Sequence, residues 1–155
     1  MNPFIAARLH LVLCHVPAMA GVFGLGLLAV GLGRSAREVQ KCALGLFLAG
    51  AMASVPLYLT GGPAAGMVRA LPDFADNLLA QHQTAGSVAL AACLVLGIAA
   101  LVGLVLFRGK PLAPRFGVAL LVLALLVSGL TVWTSALGGQ IRHSEIRANE
   151  TDNFR

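Results

Sequence analysis

Four long stretches of the chain are almost entirely apolar, and short polar segments separate them. A helix needs about 20 mostly apolar residues to cross the hydrocarbon core of a bilayer, which is roughly 30 Å thick. Each stretch reaches about that length, and its interior has no Lys, Arg, Asp or Glu. The predicted spans cover residues 9–33, 42–60, 84–107 and 116–139. The pattern therefore predicts an all-α membrane protein with four transmembrane helices.

The connections between these spans predict how the helices are arranged. The first and third are short and polar, and Gly61-Gly62-Pro63 opens a longer middle connection. Short connections make consecutive helices antiparallel neighbours. We therefore expect a single domain over residues 1–155, an up-down four-helix bundle that ends in a polar tail at residues 140–155.

The composition agrees with a membrane protein and excludes several other classes. Of 155 residues, 58% are apolar and 11% are charged, and the mean hydropathy is +0.86. Such a chain is neither a soluble enzyme nor a disordered tail. The net charge of +5 comes from 11 Lys and Arg against 6 Asp and Glu. In so apolar a chain we interpret these basic residues as topology signals, and we expect no nucleic-acid partner.

The distribution of Lys and Arg predicts the orientation in the membrane. Six basic residues lie in the first and third connections, namely Arg34, Arg37, Lys41, Arg108, Lys110 and Arg115. Loops rich in Lys and Arg stay in the cytoplasm. Both termini and the middle connection are then outside. In a bacterial inner membrane, that side is the periplasm.

Four histidines, His10, His15, His82 and His143, all fall at the predicted outer end. Counting from the cytoplasmic boundary places His10 and His82 at similar heights of about 35 and 37 Å, with His15 lower at about 27 Å. Pro72-Asp73 predicts a helix start ahead of His82, so His82 lies within a helix.

Small or basic neighbours of these histidines add to the candidate site. Gly86 follows His82 by one helical turn, so a flat macrocycle could lie against that face. The Gly138-Gly139 pair predicts a helix stop. A fold-back there would bring Arg142 and His143 over the mouth of the bundle, where they could pair with haem propionates or serve a second haem.

The four histidines predict a bound cofactor. An ionisable group in a membrane span is by default a functional candidate. Imidazole is the usual axial ligand of a b-type haem and also binds copper or zinc. We therefore predict one or two b-type haems on His82, His10, His15 and His143, with copper or zinc as the alternative. His82 is the preferred ligand. Its partner is His10 if the two ligands are to lie at similar heights in the bundle.

Three short segments resemble a known family. Residues 9–17, LHLVLCHVP, resemble the H-x4-H-x-P opening of a widespread, largely uncharacterised family of bacterial four-helix inner-membrane proteins. Residues 81–86, QHQTAG, resemble its histidine at the start of the third helix, and residues 137–143, LGGQIRH, its closing Gly-Gly segment. The resemblance implies a haem-b or redox-associated protein and favours His15 as the partner of His82.

The sequence therefore leads to a functional hypothesis with two alternatives. The leading hypothesis is an electron-transfer subunit that passes electrons between a membrane quinol and a periplasmic carrier such as a cytochrome. The alternatives are a cofactor-free structural or assembly subunit of a larger membrane complex, and a periplasm-facing copper or zinc site. An electron-transfer or accessory subunit fits the chain better than a stand-alone enzyme.

Overall fold

The computed structural model describes residues 2–70, 74–143 and 146–147. Its regular structure consists of α1 (Pro3–Leu13), α2 (His15–Gly33), α3 (Arg37–Val68), α4 (Asp76–Leu106) and α5 (Pro114–Arg142). Helices α1 and α2 follow each other directly as one unit, Pro3–Gly33. This unit, α3, α4 and α5 are each long and apolar enough to cross a membrane. The prediction of an all-α bundle of four apolar helices is confirmed for the described part of the chain.

The helices pack as a ring of four. Helix α2 packs against α3 and α5, α3 packs against α4, and α4 packs against α5, while α1 rests on α3. The α1–α2 unit therefore lies diagonally opposite α4. Leu28, Leu44, Phe47, Leu96 and Leu120 fill the interior. Many large apolar side chains face outward, for example Met52 and Leu126, as expected where helices contact lipid.

The helices extend further than the sequence predicts. The predicted connection at Gly61-Gly62-Pro63 lies inside α3, and the predicted stop at Gly138-Gly139 lies inside α5. Helix α5 accordingly continues into the predicted polar tail as far as Arg142. Inside a bilayer each backbone polar group must find a partner within the protein, so helices continue through residues that would end them in water. Helix α4 begins at Asp76, and the predicted start at Pro72-Asp73 lies outside the described residues.

A break at Cys14 divides the first membrane-length unit into α1 and α2. Pro17 has no backbone N–H, so the carbonyl of Leu13 loses its ordinary helical partner, which accounts for the interruption. Because α1 already starts at Pro3, His10 lies in its last turn, and not in the first turn of a helix as the sequence predicts. His15 is the first residue of α2.

Gln40 joins three segments at the end of the bundle that carries the basic connections. Its buried side chain donates from Nε2 to the Gly31 carbonyl at 2.9 Å and accepts at Oε1 from the Leu112 N–H at 2.8 Å. Gly31 lies near the end of α2, and Leu112 lies in the connection between α4 and α5. One amide side chain thus fixes both segments to the start of α3.

Candidate functional site

His10 and His82 meet at the opposite end of the bundle. Their ring centroids are 6.4 Å apart, and their planes are inclined by 80°. His10 comes from α1 and His82 from α4, so the contact joins diagonally opposite helices across the interior. Both side chains are partly buried. The structure thus brings together the two histidines that the sequence places at similar height.

Each of these imidazoles is held by a backbone carbonyl of a neighbouring helix. His10 Nδ1 lies 3.0 Å from the Leu57 carbonyl oxygen of α3, and His82 Nδ1 lies 3.0 Å from the Thr134 carbonyl oxygen of α5. A carbonyl oxygen can only accept, so the hydrogen bonds assign the proton to Nδ1 in both rings. In the neutral imidazole, Nε2 then carries a lone pair and is available to a metal.

Thr60 adds a second contact to His10. Its buried hydroxyl oxygen lies 3.3 Å from His10 Nδ1, and the hydroxyl is also placed to donate to the Pro56 and Leu57 carbonyls at 2.9 and 2.8 Å. The hydroxyl therefore accepts from the imidazole while it satisfies its own donor within α3. The His10 imidazole is therefore held by both the Leu57 carbonyl and the Thr60 hydroxyl.

A glycine follows each acceptor carbonyl by four residues: Gly61 follows Leu57, and Gly138 follows Thr134. In a helix, the residue four positions later lies beside that carbonyl. A Cβ at Gly61 would be 3.4 Å from His10 Cε1, and a Cβ at Gly138 would be 3.0 Å from His82 Cε1. The missing side chain at Gly138 lets the His82 imidazole approach the backbone closely, whereas a Cβ at Gly61 would make an ordinary van der Waals contact with His10. Each Gly-Gly pair thus lies beside a histidine of another helix, and its own helix continues past it.

The site is built from two equivalent halves. In the first half, a histidine on α1 bonds to α3; in the second, a histidine on α4 bonds to α5. Each half has the same parts: an imidazole, a carbonyl and a glycine four residues beyond that carbonyl. The sequence shows no repeat at a fixed period, so this pseudo-symmetry is visible only in the structure. It makes His10 and His82 the matching members of a pair.

The other predicted site residues have surroundings of their own. His15 is exposed at the start of α2, and its Nδ1 lies 3.3 Å from the Cys14 sulfur. Arg142 and His143 are exposed at the end of α5. Gly86 lies on α4 with open space where a Cβ would be.

Several residues of this end were not identified from the sequence. Arg147 donates to the Gln140 and Ile141 carbonyls and so caps the end of α5. The acceptors Leu57 and Thr134 act through their backbone, which leaves no signal in residue type. The glycine pairs can be seen in the sequence, where a Gly-Gly pair normally indicates a helix stop. Their packing against the histidines is visible only in the structure.

The donor set was tested for fit to a metal. Two imidazoles bound on opposite sides of one metal at about 2.0 Å would have ring centroids about 6.3 Å apart, and two ligands of a tetrahedral ion about 5 Å. The 6.4 Å between the ring centroids of His10 and His82 is closer to the first of these spacings than to the second. Within residues 2–70, 74–143 and 146–147, no group of three or more His, Cys, Asp or Glu side chains could hold a metal ion. His10 and His82 can together supply at most two imidazole ligands.

Comparison of the chain with protein-family models, with curated proteins and with solved structures gives no match.

Proposed function

We propose that this chain is a membrane electron-transfer subunit that uses His10 and His82 as the axial ligands of one b-type haem. The observation that carries the proposal is the diagonal pair of imidazoles, 6.4 Å apart and each held through Nδ1 by a carbonyl. A haem supplies four ligands to its iron and takes the other two from the protein. Two histidines are therefore a sufficient donor set, whereas a closed zinc site needs four ligands.

The hydrogen bonds at Nδ1 support this role for the histidines. Metal-binding histidines almost always donate their second ring N–H to a carbonyl, a carboxylate or water, which fixes the ring and raises the basicity of the ligating nitrogen. Leu57 and Thr134 provide such carbonyls. A haem bound there would exchange single electrons between a membrane quinol and a carrier outside the membrane.

The charge distribution supports an orientation for the site. The basic connections lie at the end of the bundle opposite the histidine pair, and Lys- and Arg-rich loops remain in the cytoplasm. We infer that the N-terminus, the histidine pair and the end of α5 face outward. In a bacterial inner membrane the site then faces the periplasm, where a soluble cytochrome or a larger membrane complex could exchange electrons with it.

An absorbance spectrum tests the proposal directly. The full chain is expressed with haem available and purified in detergent, and the reduced-minus-oxidised difference spectrum is recorded. We expect a b-type signal that is lost in His82→Ala and in His10→Ala. The matched control is His15→Ala, which removes an exposed imidazole only five residues from His10 and should keep the signal.

The outcomes separate the proposal from its competitors. Absence of a b-type signal in the unmodified chain would refute haem binding. Loss of the signal in His15→Ala together with its retention in His10→Ala would show that the family resemblance, and not the observed geometry, identifies the second ligand. Metal analysis of haem-free protein tests the copper or zinc alternative, in which bound metal should depend on the same two histidines.

A second candidate is a cofactor-free structural subunit, and the ring contact itself favours it. The rings of His10 and His82 lie with their centroids 6.4 Å apart, and each ring already has a hydrogen-bond partner, so the pair can hold the helices together without a ligand. In that case neither haem nor metal is found. His82→Ala should then lower the thermal stability of the purified chain while His15→Ala leaves it unchanged.

A further inference from the structure

The two halves of the histidine site differ at one buried position. Each half has an acceptor residue followed, three positions later, by a variable residue and then by two glycines: residues 57–62 read LYLTGG and residues 134–139 read TSALGG. The variable position holds Thr60 in the first half and Leu137 in the second. Their exposures are 4% and 6%. The first half therefore has a buried hydroxyl where the second has a hydrocarbon side chain.

The Thr60 hydroxyl acts on His10 as an acceptor. It lies 2.9 and 2.8 Å from the Pro56 and Leu57 carbonyl oxygens of its own helix, and these receive its single proton. Its lone pairs are then available, and its oxygen is 3.3 Å from His10 Nδ1. Because the Leu57 carbonyl already requires a proton on Nδ1, that N–H is shared between a carbonyl at 3.0 Å and a hydroxyl at 3.3 Å.

The His82 imidazole lacks such a second acceptor. Its Nδ1 lies 3.0 Å from the Thr134 carbonyl oxygen, and the hydroxyl of Thr134 donates to another carbonyl of its own helix. Leu137, at the position that corresponds to Thr60, has no polar atom in its side chain. Within the described part of the chain, the Nδ1 proton of His10 thus has two acceptors and that of His82 has one.

We propose that Thr60 is a positioning residue, which fixes the Nδ1–H form and the orientation of the His10 imidazole and so makes Nε2 of His10 a stronger donor to a metal than Nε2 of His82. As far as ligation is concerned, this role rests on the proposed function, whereas the hydrogen bond is present without a ligand. A bond from the second ring N–H orients a metal-binding histidine and raises the basicity of its ligating nitrogen. A second acceptor increases this effect in one half of the site only.

Hydrogen exchange in the haem-free chain tests the hydrogen bond. The full chain is labelled at the histidine nitrogens and purified in detergent, and the exchange of the Nδ1 protons of His10 and His82 is followed by NMR. Thr60→Val keeps the shape of the side chain and removes the hydroxyl. One hydrogen bond contributes a factor of about two to ten to such an equilibrium. We therefore expect the His10 Nδ1 proton to exchange about two- to tenfold faster and that of His82 to be unaffected.

Two further variants serve as controls for this experiment. Thr60→Ser retains the hydroxyl and should restore the exchange rate of the unmodified chain. Thr131→Val removes another buried threonine hydroxyl, which donates to the Ser128 carbonyl within α5 at 3.0 Å, and it should leave both histidine signals unchanged. An unchanged rate at His10 in Thr60→Val, or an equal acceleration in Thr131→Val, would overturn the proposal.

Leu137→Thr decides the question if Thr60→Val does not fold. It introduces a hydroxyl at the corresponding position of the second half, so the Nδ1 proton of His82 should exchange about two- to tenfold more slowly. The His10 signal should stay as it is in the unmodified chain. An unchanged rate at His82 would then count against a role for the hydroxyl.

The midpoint potential of the haem-bound chain tests the effect on ligand strength. A more basic ligand stabilises ferric iron, so Thr60→Val should raise the potential, while Thr60→Ser and Thr131→Val should not. Losing a partner of a ligating histidine lowers metal affinity by about 10–100-fold. Because the Leu57 carbonyl remains, we expect a loss of haem affinity of about tenfold, at the lower end of that range. A potential that stays the same or falls would refute the effect on ligand strength. If the unmodified chain binds no haem, the proposed function fails, and the exchange experiment still decides whether Thr60 positions His10.

Discussion

Substituting Gln40 by Leu removes the connection between three segments while keeping a side chain of similar length. In the structure the Gln40 amide donates to the Gly31 carbonyl at 2.9 Å and accepts from the Leu112 N–H at 2.8 Å, and both bonds are buried. The Gly31 carbonyl also accepts from the Ala36 N–H at 2.9 Å. After the substitution the carbonyl keeps one partner, whereas the Leu112 N–H loses the partner that the structure gives it.

The expected destabilisation follows from this difference. A buried donor without a partner costs about 1–3 kcal/mol, and losing a second bond at a carbonyl that remains bonded costs about 1 kcal/mol. We expect the free energy of unfolding to fall by about 2–4 kcal/mol. The loss should be larger than for an ordinary surface substitution, because Gln40 is only 3% exposed.

Reversible unfolding in mixed detergent–dodecyl sulfate micelles, followed by circular dichroism, measures this loss. Gln83→Leu is the matched control, since Gln83 is an exposed residue of α4 and its substitution should change the free energy by less than 0.5 kcal/mol, as is usual for surface positions. If Gln40→Leu lowers the free energy no more than the control does, the two hydrogen bonds do not stabilise this end of the bundle.

Three further predictions concern helix contacts, and each is measured by the same unfolding assay. Gly61→Ala should stabilise the chain by about 0.5–1 kcal/mol, because Ala favours helix and its Cβ has room. Gly138→Ala should gain less and should shift the NMR signals of the His82 imidazole, since its Cβ would be 3.0 Å from that ring. Equal effects of the two substitutions on stability would contradict this difference in packing. Ser128→Ala should be neutral or stabilising by up to about 1 kcal/mol, because the buried hydroxyl of Ser128 has no hydrogen-bond partner among the described residues; a clear loss would reveal a partner. Gly24→Ala should destabilise by about 1–3 kcal/mol, because its Cβ would lie 2.5 Å from the Phe47 ring; an unchanged stability would show that the ring can move.

Sequence reasoning reached the number of helices but not their ends. The interiors of the spans lack charge, which is a requirement of the bilayer and can be read from residue type. The ends depend on how far a helix continues past the apolar region. Gly61-Gly62-Pro63 would end most helices in water, yet α3 continues to Val68. Gly61 lies beside His10 of α1, a packing partner that cannot be read from residue type.

The sequence predicts the height of the candidate histidines along the bundle, but not the direction in which each side chain points around its helix. Counting residues placed His10 and His82 at the same level, and the structure brings them together. The choice between His10 and His15 depends on the rotation of each residue about the helix axis, and the structure turns His10 toward His82. His15 consequently lies exposed at the start of α2. Periodicity fixes relative angles within one helix and cannot fix the angle between helices.

The pseudo-symmetry of the site has a consequence for how a ligand would act on the bundle. Each imidazole is anchored within its own half, His10 to α3 and His82 to α5, and the two halves meet at the ring contact. A ligand bound by both rings would therefore join the halves without disturbing either anchor. Because such a ligand binds the folded bundle and not the unfolded chain, it would stabilise the fold in proportion to its affinity. Losing either histidine would remove this linkage completely, so the two halves are expected to contribute equally to any stabilisation by the bound group.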